Sequence, residues 1–302
     1  MEKLLSKVQY LNYEPGEFVE EKERTKQEVI ELAESLPWEK QREHIQIDIT
    51  CPSITIQNGS LSYLKLALYY NGRFVLYFFD GESLYTKSLS GYKEAFATFD
   101  YYFEKQSVNL AEFKKENLLF KHVVQHFVSK DFTYIVNKKR VVDFLLESSV
   151  VGLAFSIAVL IITVFNISYI PVPFFIFIFL ALFGALGINI LLVNNYYPYV
   201  KKRMLKIAKG QDIFWFGDIG NMVQYNKKDV YKVAFSFPYR HSSGRPRTAF
   251  NRFAIYTIYF NNAQHITFNS LLIGTDEMGN KFTIDLREEI NRTIPFMHDD
   301  DL

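Results

Sequence analysis

The stretch from Ser148 to Val200 constrains this chain more than any other, because no Asp, Glu, Lys, Arg or His falls between Glu147 and Lys201. About twenty apolar residues suffice to cross a bilayer. Pro171 and Pro173, close to the polar Asn166 and Ser168, divide the run near its middle. Each half then has spanning length, over residues 148–170 and 173–195. Proline at a first helical turn is tolerated because its missing N–H would have had no partner there. The expectation is a transmembrane helical hairpin with a short polar turn. The alternative is a helix pair buried in a soluble core, and the lack of any charge in either segment speaks against it.

The flanks give the hairpin an orientation. Lys138, Lys139 and Arg140 precede it, and Lys201, Lys202, Arg203, Lys206 and Lys209 follow it with no acid before Asp212. Lys and Arg concentrate on the cytoplasmic side of short loops, so both flanks and both termini are expected there. The cluster Lys201, Lys202, Arg203, Lys206 and Lys209 also forms a basic surface that attracts anionic lipid headgroups, by about 1 kcal/mol per residue. Tyr196, Tyr197 and Tyr199, beside Asn194 and Asn195, read as an interfacial belt. Small residues (Gly152, Ala154 and Ala158; Ala181, Gly184, Ala185 and Gly187) allow close helix approach. Asn189 is expected to hydrogen-bond to the facing helix. No chain of intramembrane acids suggests a pump.

A net charge of +1 supplies no overall field for nucleic acid. Cys51 is the only cysteine, which excludes a disulfide framework and cysteine-based zinc sites and suits a reducing compartment. The first thirty residues hold no apolar run, so targeting is left to the hairpin. Residues 1–135 read as an α+β domain. A first helix is expected over Glu17–Leu36, stopped by Pro37. Alternation at Ile45, Ile47, Ile49, Ile54 and Ile56 marks strands. Asn58-Gly59, Asn71-Gly72 and Asp80-Gly81 then punctuate apolar segments, and such dipeptides supply the positive φ that tight hairpins need. The result is an antiparallel meander. Helical stripes follow over Tyr92–Glu104 and Leu110–Val128. Residues 136–210 hold the hairpin with its basic flanks. Residues 211–302 read as short strands over 213–216, 222–225, 230–237, 250–260 and 265–273, then a helix near Thr283–Asn291.

Within this last part, Lys228-Asp229-Val230-Tyr231-Lys232-Val233, Arg245-Pro246-Arg247-Thr248-Ala249-Phe250, Tyr256-Thr257-Ile258-Tyr259-Phe260 and Ile266-Thr267-Phe268-Asn269-Ser270-Leu271-Leu272-Ile273 resemble bacterial membrane proteins with a C-terminal pleckstrin-homology-like (PH-like) domain. The resemblance runs from about Val150 to Phe296. It implies a two-helix anchor ahead of a β-rich domain, and no catalytic residues. A second resemblance links Ser53–Glu104, with Tyr69-Tyr70-Asn71-Gly72-Arg73-Phe74-Val75-Leu76-Tyr77, to small bacterial immunity-type proteins that bind and neutralise toxins.

No constellation for chemistry stands out. His122 and His126 lie one helical turn apart but lack the adjacent Glu of a hydrolytic zinc helix and any third ligand. Phosphate-binding glycine loops, nucleophile elbows and dinucleotide fingerprints are missing. Neither catalysis, a metal nor a cofactor is expected. The candidate ligand- or phosphate-binding loop is 238–252, where Arg240, Arg245, Arg247 and Arg252 could make bidentate contacts to phosphate or carboxylate. The function expected from all this is a non-enzymatic scaffold, multi-pass in a bacterial inner membrane. Both soluble modules would lie in the cytoplasm, with the lipid bilayer and an unknown protein as partners. The alternative is an immunity protein that sequesters a toxin through its N-terminal domain.

Overall fold

The computed structural model describes residues 2–42, 51–59, 62–69, 72–116, 128–165, 187–238, 252–292 and 294–299. The chain folds into two compact units, Met1–Asp131 with Ala208–Gly210, and Phe132–Ile207 with Gln211–Leu302.

The first unit is built on a seven-stranded antiparallel sheet, in the order β2-β1-β3-β4-β5-β6-β7. Its strands are β1 (Lys3–Gln9), β2 (Val19–Thr25), β3 (Ser53–Asn58), β4 (Ser62–Leu68), β5 (Phe74–Phe79), β6 (Leu84–Leu89) and β7 (Lys114–Lys115). Gly59, Gly72 and Gly81 turn the β3–β6 meander with φ of +67°, +70° and +106°, as the dipeptides predict. Alternation sends Ile54, Ile56, Leu64, Leu66, Phe74, Leu76 and Phe78 to one face. There they join one core with Val29 and Ala33 of α1 (Lys26–Ser35) and with Phe99, Tyr102 and Phe103 of α2 (Phe96–Lys105).

Two helices expected in this unit are corrected. Glu17–Leu36 is not one helix: Val19–Thr25 pairs with β1 as an edge strand, and the helix begins only at Lys26. Thr25 makes the break, with extended backbone and a side chain in a reciprocal capping box with Glu28. Leu110–Val128 begins as a single 3₁₀ turn at Leu110–Glu112 followed by β7; residues 117–127 of that expected helix lie outside those described. So do the expected strand at Ile45, Ile47 and Ile49, and His122 and His126.

The second unit has two four-stranded sheets. One runs β11-β10-β9-β8, from β8 (Thr133–Ile135), β9 (Arg203–Lys206), β10 (Ile213–Asp218) and β11 (Asn221–Asn226). The other runs β14-β13-β12-β15, from β12 (Val230–Pro238), β13 (Ile255–Phe260), β14 (His265–Asn269) and β15 (Arg287–Arg292). Between β8 and β9, which pair directly, the chain runs through helix α3 (Lys138–Phe165) and helical residues 187–200, α4. The helical segment is therefore inserted between adjacent strands of one sheet. A short helix, α5 (Thr275–Gly279), follows β14.

The membrane class and the multi-pass inner-membrane location expected from sequence are overturned. Among the described residues, no helix is long and apolar enough to cross a membrane. The turn and most of the second expected span (166–186) lie outside the described residues. The ends of the helical segment are committed to protein instead. Phe144 of α3 and Leu192, Val193, Tyr196 and Val200 of α4 are buried in one core with Phe214, Phe253, Tyr256 and Phe268 of the sheets. The expected interfacial belt is corrected with them, since Tyr196 has no exposed surface. Asn189 does bond the facing helix, donating to Ser149 Oγ at 3.1 Å. On α3, Val142, Leu146, Ile157 and Ile161 remain exposed.

The expected C-terminal helix is also corrected. Ile284–Leu286 is a 3₁₀ turn, and Arg287–Arg292 is a strand parallel to β12. Helix-favouring Arg and Glu residues are overridden by a ladder running from Val233↔Arg287 to Pro238↔Arg292, reinforced by Lys232 Nζ to Glu288 Oε2 at 2.7 Å.

Candidate binding surface of the second unit

Of the arginine loop, only Arg252 falls within the described residues; Arg240, Arg245 and Arg247 do not. Arg252 is already engaged, its guanidinium pairing with the Glu147 carboxylate on α3. Both side chains are about half exposed, so the pair is a weak surface contact.

The basic cluster divides. Lys201 and Lys202 follow α4 and are exposed, and Arg203 and Lys206 sit on β9. Arg203 reaches Asp218 of β10 at 3.5 Å and lies 5.7 Å from the Phe216 ring centroid. Lys209 groups with the first unit, where its backbone N–H donates to Glu14 Oε1 at 3.0 Å. Lys201 and Lys202 thus mark one end of the β9–β10–β11 sheet, fixed there by the Ile219 N–H donating to Lys202 O at 2.8 Å. The opposite end of β11 is also basic. Lys227 and Lys228 follow it, and Asp212, 2.6 Å from Lys228 Nζ, holds that ammonium above its usual range.

Between these ends lies a feature that sequence reading missed. Among the described residues β11 is the edge of its sheet, and Asn221, Val223 and Gln224 are exposed along it. Beside it opens a cleft of about 500 Å³. Its apolar wall is Tyr225 and Phe260, with ring centroids 4.9 Å apart and planes 20° apart; the buried Phe214 ring backs Tyr225 at 5.4 Å and 24°. Its rim carries the Asp229 carboxylate and the amides of Asn226, Asn261, Asn262 and Gln264. Burial raises the Tyr225 phenol above its ordinary pKa, against the opposing pull of Arg203. The signal for the cleft was the Phe214, Tyr225 and Phe260 set, but these rings come from three different strands and meet only in the fold.

The first unit holds a second polar cluster, on the face of its sheet opposite α1 and α2. Lys7, Thr55 and Lys65 are direct cross-strand neighbours there, and all are buried. Lys65 Nζ donates to Gln9 Oε1 at 3.3 Å, and Lys7 Nζ donates to Ser129 Oγ at 3.1 Å while lying 4.3 Å from the Phe18 ring centroid. Burial pulls the Lys7 pKa down, and Glu21 opposes it. Among the described residues no group of three His, Cys, Asp or Glu side chains is placed to hold a metal.

Residues 133–281 match a family profile described as a PH domain. The match begins in β8 and ends just beyond α5, so it includes the inserted helical segment. No curated protein and no solved structure matches the chain.

Proposed function

We propose that this chain is a non-catalytic binding and scaffold protein whose second unit recognises an acidic surface on a partner protein. The PH domain found at residues 133–281 supports a binding module rather than an active site. The observation that carries the choice of partner is the distribution of charge along the β9–β11 sheet. Arg203 and Lys228 are matched by Asp218 and Asp212, whereas the neighbouring Lys201 and Lys202 stand exposed. Exposed cations at the Lys201–Lys202 end of an uncharged strand suit a polypeptide with acids there and neutral residues over the cleft better than a lipid headgroup, whose phosphate would leave the cleft unfilled. The first unit is a second interaction module on the same chain, and coupling two modules raises the effective concentration of one ligand near the other.

The test uses the purified full-length protein and two probes. One is a fluorescein-labelled library of peptides in which two Glu flank each end of six randomised positions; the other is phosphatidylserine vesicles. Peptides are expected to be retained, and the double variant Lys201→Glu/Lys202→Glu to weaken them at least about tenfold, equivalent to about 1.4 kcal/mol. Retention of vesicles alone, or peptide binding indifferent to charge reversal, would refute the reading.

A further inference from the structure

We propose that the second unit pairs with a second copy of itself through β11, the two strands lying antiparallel about a twofold axis at Gln224. This goes beyond the acidic-partner reading and does not rest on it.

Sheet edges present unpaired N–H and C=O groups, and natural sheets guard them with charge, bulges, shortness or cover. Among the described residues the other edges are guarded in those ways. β2 carries Glu20, Glu21, Lys22, Glu23 and Arg24, and its pairing with β1 shifts register between Ser6 and Val8. β15 carries Arg287, Glu288, Glu289 and Arg292. β7 and β8 are two and three residues long. β14 is buried along all but its first residue. β11, Asn-Met-Val-Gln-Tyr-Asn, has no charge and no proline, and pairs with β10 in unbroken register from Asp218↔Asn221 to Ile213↔Asn226.

The direction of its free groups follows from the ladder. Lys227 N–H donates to Asp212 O at 2.7 Å, so position 227 faces β10. Antiparallel pairing alternates, which turns the N–H and C=O of Met222, Gln224 and Asn226 outward. When the strand meets its own copy, one register uses all three positions. Gln224 then lies opposite Gln224 of the copy, and Met222 opposite the copy's Asn226 on either side of the axis. The residues between fall into the closely spaced pairs, Val223 of each copy opposite Tyr225 of the other. A β-branched side chain against an aromatic ring is a favourable cross-strand pair, and the symmetry forms it twice. It covers Val223, 50% exposed in the single chain, on the face where the cleft opens.

Charge does not oppose this pairing. The strand itself is neutral, and the copy brings Lys227, Lys228 and Asp229 past Asn221, with Asp212 2.6 Å from Lys228 Nζ, so two cations arrive with two acids. Lys202 lies on the far side of β10, its carbonyl accepting from Ile219 N–H. At about 4.8 Å per strand, its backbone stands about 14 Å from the copy's β11, beyond the screening length of about 8 Å.

Edge closure selects the copy over a foreign segment. A foreign strand presents its own outer row of N–H and C=O groups, so the liability only moves outward by one strand. In the twofold pair each β11 closes the other, and the joined sheet ends at both sides on β8, an edge of three residues. β11 also carries no charge with which to read a foreign sequence, whereas its Val223 and Tyr225 answer each other.

The test is sedimentation velocity on the purified full-length protein from about 1 to 200 μM, since a six-residue edge is a small interface whose dimer dissociates in the micromolar range. The unsubstituted protein should show a concentration-dependent dimer. Gln224→Pro removes an outward N–H and leaves the β10 ladder intact, a placement that edge strands tolerate. It should weaken association at least about tenfold. Gln224→Thr, which keeps the N–H, should dimerise normally, and both variants should retain the melting temperature. Cysteine cross-linking reads the register without proline. In Gln224→Cys the two thiols face each other across the axis, on Cα atoms about 5.5 Å apart, and should form an interchain disulfide under mild oxidation. Met222→Cys and Asn226→Cys should each fail to cross-link alone and should cross-link when mixed; the buried Cys51 of the unsubstituted protein sets the background. A monomer throughout the range would overturn the proposal. So would a dimer that Gln224→Pro leaves unweakened, or Gln224→Cys cross-linking no faster than Met222→Cys. A monomer that retains library peptides and loses them on Gln224→Pro would overturn it in favour of a foreign strand.

Discussion

Tyr196 gives the sharpest test of whether α4 belongs to the protein core. Its ring is fully buried and sits edge-on to Phe253, with centroids 5.6 Å apart. Its hydroxyl donates to Pro295 O at 2.8 Å, and its carbonyl accepts from Asn269 Nδ2 at 3.2 Å. Truncating a large buried aromatic to alanine costs about 3–5 kcal/mol. Losing the phenol adds about 1 kcal/mol for the Pro295 carbonyl left without its donor. Tyr196→Ala should therefore destabilise the second unit by about 4–6 kcal/mol, a large share of the 5–15 kcal/mol typical of a domain. Tyr196→Phe isolates the hydroxyl and should cost about 1 kcal/mol. Tyr197, 42% exposed, is the control, and Tyr197→Ala should stay within about 0.5 kcal/mol. Native-state hydrogen exchange read by mass spectrometry on peptides covering β13 and β14 localises the effect to this unit. There Tyr196→Ala should speed the slowest exchange by about three powers of ten or more. If Tyr196→Ala and Tyr196→Phe both behaved like Tyr197→Ala, the ring would not be packed between α4 and the sheets, and the commitment of α4 to the core would be wrong.

Three further outcomes follow from single interactions. Thr25→Ala removes the cap of α1 and should cost about 1 kcal/mol in urea unfolding. Because the Thr25 hydrogen bonds hold the Glu28 carboxyl below its usual range, the cost should fade as pH falls through that lowered value. Alkali should weaken the first unit. Burial pushes the Tyr102 phenol up to about 12, so the stability it contributes is whole below the unfolded value of 10 and is lost as pH rises towards 12. That loss is about 3 kcal/mol and should be missing from Tyr102→Phe when unfolding is compared at pH 9 and pH 12. Lys7, lowered by burial, works in the opposite sense, gaining stability as pH approaches 10.5, and so blunts the slope in both proteins alike. Finally, Arg252→Ala should change the melting free energy by less than about 1 kcal/mol, since its partner Glu147 is as exposed as it is; a larger loss would show that the pair is buried in solution.

What was legible in the sequence was local. The Asn-Gly and Asp-Gly dipeptides announced the β3–β6 meander because a positive φ is a property of the turn residue itself. The alternation of Ile54 and Ile56 marked the face that meets α1 and α2, because successive strand side chains point to opposite sides. The failures came where a distant partner outvoted local preference. Glu20 to Arg24 suit a helix surface as well as a strand edge, and only pairing with β1 selects the strand. The capping box of Thr25 and Glu28 is nevertheless written in the sequence, and it marks the start of α1 more sharply than the longer apolar stripe does. Arg287–Arg292 likewise became a strand because β12 offered a parallel ladder.

The uncharged stretch failed for a different reason. Hydropathy measures how strongly a side chain avoids water, not what it enters instead. Leu192, Val193, Tyr196 and Val200 satisfy a membrane reading and a core reading equally, and the sequence contains no term that separates them. The discriminating information lay in residues far along the chain. Asn195 Nδ2 donates to Met297 O at 3.0 Å, and Asn195 Oδ1 accepts from Met297 N at 2.8 Å, so an asparagine expected at a lipid interface instead clamps the C-terminal segment to α4. Asn269 does the same from β14, donating to Tyr196 O and accepting from Leu271 N at 3.2 Å. A polar residue next to an aromatic one is what an interfacial belt and a helix docked on a sheet have in common. The two differ in whether those amides find fixed backbone partners, and here they do. The same dependence on remote partners hid the binding surface. Lys201 and Lys202 were visible as charge, but the strand beside them matters only because, among the described residues, β11 pairs with β10 alone.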